Sequence, residues 1–339
     1  MKSRVASIIV TYNENVSLYN LLIKIGEQNV KSTVILIIDN STEEVYRNKI
    51  IEIINGFYTN YKIPVKYYST IKNLGSSLGF SIGMTLALDN NIDYVWLHDQ
   101  DGYPQKNCLE IMLNYFSIPN VSIVAPVIHD FNNQKLNYFR CTRNVFGKYI
   151  DVISNTNTID IDVAGTAGIL IKSDTISKIG PYDGKNFFVG LEDFEYCLRV
   201  KMSGYKILLA NNAIYTHPDL IKKHKQKQYI SNNLKKKLPL GFRILKANTS
   251  KRDFKLPYSS AYLSYKYNND WQFICNMLYS IFKAIVLKLF NRKVRLLQTL
   301  KMYMKAIINF KKHDEEYSLD NIIKEYSGLI AKKIEVGKM

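Results

Sequence analysis

The 339-residue sequence predicts an α/β protein built around a mainly parallel sheet. Three observations predict it. Short, β-branched, almost wholly apolar runs alternate with helical patterns, as strands buried on both faces do when helices cover them. Three of these runs end in polar clusters: Thr11-Tyr12-Asn13, Asp39-Asn40-Ser41 and Asp99-Gln100-Asp101. Ligands of such sheets bind at the C-terminal strand ends, so three polar clusters on one edge make a site.

Val5 to Val10 is the first strand. Lys2 and Arg4 precede it, but the apolar run is short and soon turns polar, so a core strand is expected here and not a signal peptide. A helical pattern runs from about Ser17 to Gln28. Val34 to Ile38 and Ile63 to Tyr68 are the next strands. Leu74 to Leu88 reads as a helix on which Gly75, Gly79 and Gly83 share one face. Their bare backbone admits either a strand or a ligand at close range, and both readings stand. Tyr94-Val95-Trp96-Leu97-His98 is a strand that delivers Asp99 and Asp101 into a turn marked by Gly102 and Pro104. Pro104 to Phe116 reads as helix and Val121 to Val127 as strand. Ile159 to Val163 and Ile169 to Lys172 are strands around the small residues 164–168. A helix around Glu192 to Met202 and strands at Lys206 to Ala210 and Ala213 to Thr216 follow. Lysines then crowd 218–260. The expected division is a domain over 1–220 and a basic, mostly helical region over 221–339.

Charge marks the same division. The chain has 46 Lys+Arg against 29 Asp+Glu, a net +17. Residues 221–339 hold 26 of those basic residues and 8 of the acids, so all the excess lies there. That asymmetry implies an anionic partner, a membrane surface or nucleic acid. Cys108, Cys141, Cys197 and Cys275 have no short spacing, which fits reduced thiols of a cytosolic protein and neither a zinc site nor a disulfide framework.

Two carboxylates one residue apart at a strand end, Asp99 and Asp101, are a ligand pair for a hard cation such as Mg²⁺ or Mn²⁺, with positions left open for phosphate oxygens. His217, at the end of another strand, has the chemistry of a third ligand. Glu192, Asp193 and Glu195 open a helix. The helix dipole alone favours acids there. The alternative is a general base that takes the proton of an attacking hydroxyl.

In order along the chain, Val10-Thr11-Tyr12-Asn13, Ile38-Asp39-Asn40-Ser41, Asn73-Leu74-Gly75, Asp99-Gln100-Asp101, Gly165-Thr166-Ala167-Gly168, Glu192-Asp193 and His217 resemble family 2 glycosyltransferases of the GT-A fold, over roughly residues 3–220. Leu97-His98-Asp99-Gln100-Asp101 looks most like the bacterial rhamnosyltransferase branch. Galactofuranosyltransferases are near relatives that usually carry a third acid where Gln100 stands. The resemblance implies a nucleotide-diphospho-sugar transferase with a mixed, mainly parallel sheet flanked by helices. It implies that Thr11, Tyr12, Asn13 and Asp39 hold base and ribose, and that Asn73 and Gly75 pack near the nucleotide. Asp99, Asp101 and His217 would bind the metal, with Asp99 and Gln100 also at the donor. Gly165 and Thr166 would shape the acceptor pocket. Asp193 would be the catalytic base and Glu192 would orient the acceptor. Leu191 stands where an aromatic residue often precedes the acid pair. The implied reaction is inverting transfer of a sugar, L-rhamnose from dTDP-L-rhamnose or another hexose from a UDP-sugar, to a glycan or polyprenyl-diphosphate-linked acceptor in bacterial surface-polysaccharide synthesis.

Trp271 to Phe290 is rich in large apolar residues, but Gln272, Asn276, Ser280 and Lys283 draw a polar stripe along it. An amphipathic helix at an anionic membrane surface is expected, at the inner face of the plasma membrane, and the alternative is a helical hairpin packed on the enzyme domain or on a second subunit as a homodimer, with its lysines in solvent. A nucleic-acid-binding protein would have aromatics among its basic patches, as Tyr258, Tyr262, Tyr265 and Tyr267 are, but would leave the acids at the strand ends unused. A nucleotidyltransferase would place a Gly-rich phosphate loop after the first strand, and Thr11-Tyr12-Asn13-Glu14 is not one.

Overall fold

The structure, a computed structural model, describes residues 3–129, 140–143, 158–217 and 324–337. It also describes Lys135–Leu136, Tyr149–Asp151, residues 262–263 and 266–267, and single helical positions at 278, 282, 301, 304 and 308. The expected amphipathic helix at 271–290 and the lysine-rich stretch 218–260 lie outside the described residues, apart from Leu278 and Phe282. The chain divides into two compact units. One is Met1–Gly184 with Glu192–Pro218 and Tyr317–Met339, and the other is Lys185–Leu191 with Asp219–Glu316.

The first unit begins with β1 (Val5–Thr11), α1 (Val16–Gly26), β2 (Val34–Asp39), α2 (Glu44–Tyr61), β3 (Val65–Thr70), α3 (Gly75–Leu88) and β4 (Tyr94–Asp99). β5 (Tyr103–Pro104), α4 (Cys108–Asn114), β6 (Val121–His129), β7 (Lys135–Leu136), β8 (Arg140–Arg143) and β9 (Tyr149–Asp151) follow. Then come β10 (Thr158–Ile161), β11 (Val163–Ala164), β12 (Leu170–Lys172), α5 (Ser173–Ile179), α6 (Glu192–Met202), β13 (Lys206–Thr216) and β14 (Ile330–Val336). The main sheet runs β10-β13-β6-β12-β4-β1-β2-β3-β14, and β11-β8-β9 form a second, small sheet. β3, β2, β1 and β4 are parallel neighbours, and β12 is inserted antiparallel between β4 and β6. The sheet is mixed, as expected.

Successive residues of β1 point to opposite faces. Ile8 enters the core beneath α3 with Ile38, Phe80 and Met84, and Ile9 enters the core beneath α1 and α2 with Leu18, Leu22, Ile50 and Ile54. Trp96, Leu109, Met112 and Val124 form a third cluster under α4. The glycine stripe of α3 serves this packing at two positions. A Cβ on Gly79 would lie 2.8 Å from Val10 Cγ1, and one on Gly83 would collide with Ile8.

Several elements differ from the sequence reading. Nothing is assigned in sequence between Ser41 and Ile63, and an 18-residue helix, α2, lies there. It buries only Ile50, Ile54 and Phe57, so its apolar stripe is thin and its sequence reads as polar. The helix expected from Pro104 starts at Cys108, because Tyr103 and Pro104 pair with Thr216 and Tyr215. At the other end of the chain β14 pairs antiparallel with β3, and Tyr326 just before it is buried with its hydroxyl 2.7 Å from Ser81 Oγ. In the second unit Tyr262 is buried, accepts a hydrogen bond from Asn186 Nδ2 at 3.0 Å and meets the ring of Phe187 edge-on.

Candidate active site

Parallel register builds the site edge. Thr11 lies beside Asp39 and Val10 beside Asp99, so β1, β2 and β4 end together. Gln100 ties two of these ends: its Oε1 accepts from Thr11 Oγ1 at 2.9 Å and from the Tyr12 N–H at 2.8 Å. Asn13 takes a left-handed φ of 47°, which asparagine tolerates. Its N–H donates to Ser41 Oγ at 2.9 Å, and its Oδ1 accepts from the Thr42 N–H at 3.2 Å. The β1 and β2 loops are thereby laced together.

Asp39 is in this cluster but closed to solvent. Oδ2 accepts from Tyr67 Oη at 2.6 Å and Oδ1 from the Ser41 N–H at 2.8 Å. A nucleotide would meet the turn that Asp39 builds before it met the carboxylate. Burial, with the Asp39 hydrogen bond second, raises the Tyr67 phenol far above its ordinary range, so it stays a donor. Asn73 Oδ1 caps the Gly75 N–H at 2.9 Å, and Asn40 Nδ2 donates to the Gly75 carbonyl at 2.9 Å. Gly75 has a φ of 84°, which only glycine adopts without cost.

β13 brings in His217. It is parallel to β6, with Thr216 opposite His129, and its last residues pair with β5, just past the acidic turn. The His217 N–H donates to the His129 carbonyl at 2.9 Å. Nε2 then lies 3.3 Å from Asp101 Oδ1 and 3.9 Å from Asp99 Oδ2. His217 is buried while Asp99 and Asp101 keep 36% and 25% of their side chains exposed, so the trio is walled on one side and open on the other. Among the described residues no group of three or more His, Cys, Asp or Glu side chains stands in an arrangement that could by itself hold a metal ion. The donor set nonetheless fits an open cation site. An imidazole nitrogen and two carboxylates are donor types that a divalent cation takes, and the exposed side leaves room for diphosphate oxygens. His98, one residue before Asp99, points away: it is fully buried against Trp96 and Tyr215, and burial lowers its pKa to about 3.

Glu192 and Asp193 start α6 opposite the start of α3. Ser76 Oγ donates to Glu192 Oε1 at 3.0 Å, and Glu192 Oε2 is buried without a hydrogen-bond partner. Burial raises the Glu192 carboxyl to about 8, helped by the charge of Asp193 and, less, by Asp99. The charge of Asp99 reaches Glu192, which links the acid pair to the acids at the β4 end. Asp193 is only partly buried. Its surroundings raise it too, but Oδ1 accepts from the Phe194 N–H at 2.8 Å and Oδ2 lies 3.4 Å from the Thr166 N–H, which restrain the rise. Thr166 Oγ1 is 3.2 Å from Tyr182 Oη. Gly165 presents its carbonyl to Arg140 at 2.9 Å.

Three residues here are absent from the sequence reading. Ser76 sits inside the quoted glycine helix, where its hydroxyl goes unnoticed. Tyr182 and Arg140 have no motif around them, and only the fold brings them to Thr166 and Gly165.

Residues 7–175 match the model of the family described as Glycosyl transferase family 2. Galactofuranosyltransferase GlfT1 of Mycolicibacterium smegmatis is 24% identical over 222 residues, covering 63% of this chain and 70% of its own. The dTDP-rhamnosyl transferase RfbF of Shigella flexneri is 24% identical over 203 residues, covering 59% and 64%. Among solved structures, GalNAc-T7 with UDP, GalNAc and Mn²⁺ superposes with a TM-score of 0.52 at 16% identity. It matches 70% of this chain, which spans about half of that protein, 52%. That likeness shows a shared GT-A fold, a mixed central sheet with flanking helices.

Proposed function

Because this chain carries a glycosyl transferase family 2 domain over residues 7–175, and is a glycosyltransferase, we propose that it is an inverting, metal-dependent enzyme using a nucleoside-diphosphate sugar. The observation that carries this reading is the gathering of Asp99, Asp101 and His217 on the edge whose acids also act on Glu192. The favoured donor is dTDP-L-rhamnose, on the D-Q-D sequence and the match to a rhamnosyl transferase. UDP-galactofuranose is the second reading, favoured by the GlfT1 match. The acceptor is a hydroxyl of a glycan or polyprenyl-diphosphate-linked sugar. The catalytic residues all lie within 1–220, and the basic residues 221–339 are assigned to an anionic membrane surface at the inner face of a bacterial plasma membrane.

Asp99, Asp101 and His217 would hold Mg²⁺ or Mn²⁺, whose contribution when bound is to offset charge growing on the leaving diphosphate. Thr11, Tyr12 and Asn13, braced by Gln100 and Ser41, form the loop that meets the nucleotide. Asp193 takes the proton of the acceptor hydroxyl. As that O–H bond breaks, the acceptor oxygen bonds to the anomeric carbon from the face opposite the diphosphate. The C–O bond to the diphosphate breaks, and its electron pair leaves with the phosphate oxygen, so the anomeric configuration inverts. Glu192, raised to about 8, holds its proton at neutral pH and serves as a hydrogen-bond donor while Asp193 accepts.

The test is release of nucleoside diphosphate from dTDP-L-rhamnose and from UDP-galactofuranose. Release is expected to stop in EDTA and return with Mn²⁺. Asp193→Asn should lower turnover by about two to four powers of ten with donor binding nearly intact. Full turnover in chelator would remove the metal role, and near-normal turnover of the variant would remove Asp193 as the base.

A further inference from the structure

Arg140 is 2% exposed. A buried guanidinium is expensive unless its donors are met and a negative charge lies near. Its donors meet three backbone carbonyls from two parts of the chain. Nε donates to Pro126 O at 3.0 Å, Nη1 to Gly165 O at 2.9 Å and Nη2 to Ala167 O at 2.8 Å. The two Nη bonds hold the carbonyls of the residues on either side of Thr166, whose N–H points at Asp193 Oδ2. Register fixes this arrangement. In the small sheet Arg140 of β8 lies opposite Ala164 of β11, and the chain after Ala164 turns directly into 165–167.

The Arg140 charge also reaches Asp193, where it favours the ionised carboxylate. The described titratable groups facing Asp193 are Glu192 and Cys197 on its own helix, Tyr182 and Arg140. Of these, Arg140 alone is positive. Resting on the reading of Asp193 as the base, we propose that Arg140 is a positioning residue: its fork fixes the 165–167 loop so that the Thr166 N–H and a buried positive charge both serve the Asp193 carboxylate. Burial favours the protonated form of Asp193, and Arg140, with the backbone N–H groups, opposes it. Without Arg140 the base would hold its proton to higher pH, and the 165–167 loop would lose the two hydrogen bonds that the Arg140 Nη atoms give it.

The test is the pH profile of kcat, measured with dTDP-L-rhamnose or UDP-galactofuranose, whichever is turned over. In Arg140→Met, which removes the charge, the acid limb should move up by about one pH unit or more, with activity recovering at high pH and donor KM unchanged. Arg140→Lys keeps the charge and loses the fork. Its limb should stay in place while kcat falls severalfold at every pH. A folded Met variant with an unmoved limb overturns the proposal. If the Met variant does not fold, the Lys variant decides, and a kcat equal to that of the unaltered protein overturns it. Asp193→Asn separates the two levels. If that variant keeps its turnover, the base reading fails and takes the proposal with it. If it is inactive while the Arg140 variants behave as the unaltered protein does, only the proposal fails.

Discussion

Glu192 and Asp193 are neighbours in sequence with different surroundings. Asp193 has two backbone N–H groups directed at it, whereas Glu192 has one hydroxyl donor and one oxygen buried without a partner. Burial therefore raises Glu192 from the ordinary 4.5 to about 8. The folded chain holds a proton there that the unfolded chain has released, so this group's contribution to stability is full below pH about 4.5 and is lost as pH rises through about 8. Glu192→Gln, which cannot ionise, avoids that loss. The melting temperature of the variant should rise relative to the unaltered protein between pH 5 and pH 9. A difference that stays flat across this range would show that Glu192 is ionised throughout. At this scale the sequence was informative wherever chemistry sits in a motif, as with Asp99, Asp101, Glu192 and Asp193. It was silent on Arg140, which no sequence pattern marks. Asp39 was legible as a strand-end acid, but that Tyr67 and Ser41 would occupy its oxygens was not.

Helix glycines illustrate what an element's surroundings decide. Gly to Ala inside a helix gains roughly 0.5–1 kcal/mol when space allows, because alanine loses less backbone freedom on folding. On α2, Gly56 has nothing within 4 Å of an added Cβ, so Gly56→Ala should stabilise by about that amount. On α3, a Cβ on Gly83 would strike fully buried Ile8, so Gly83→Ala should destabilise by about 1–3 kcal/mol. Urea midpoints of the two variants check both signs. Equal shifts would mean that α3 does not depend on its bare face to lie against β1. The four-residue spacing in sequence raised two uses for this stripe, close packing and ligand approach. The structure assigns Gly79 and Gly83 to packing and places Gly75, with its positive φ, at the turn beside Asn40 and Asn73.

Across the whole molecule, charge is segregated: the first 220 residues are nearly neutral and residues 221–339 carry the surplus. Among the described residues no helix is long and apolar enough to cross a membrane. Binding through basic residues would act within a Debye length and weaken with salt. Full-length protein should float with vesicles containing anionic lipid, not with zwitterionic ones, and be released by about 0.5 M salt. Failure to float with anionic vesicles would remove the membrane assignment. The sequence by itself determined the alternation of strands and helices, the polar strand ends and the sites of the acidic motifs, because side-chain periodicity and turn residues act over a few positions. Only the tertiary structure decided that β12 runs antiparallel within the sheet, that residues 330–336 complete its edge, that His217 comes to lie beside acids far away in the chain, and that Arg140 reaches the carbonyls of Gly165 and Ala167. Those outcomes depend on strand order and register, which are set by how buried faces pack across the whole sheet and leave no local trace in the sequence.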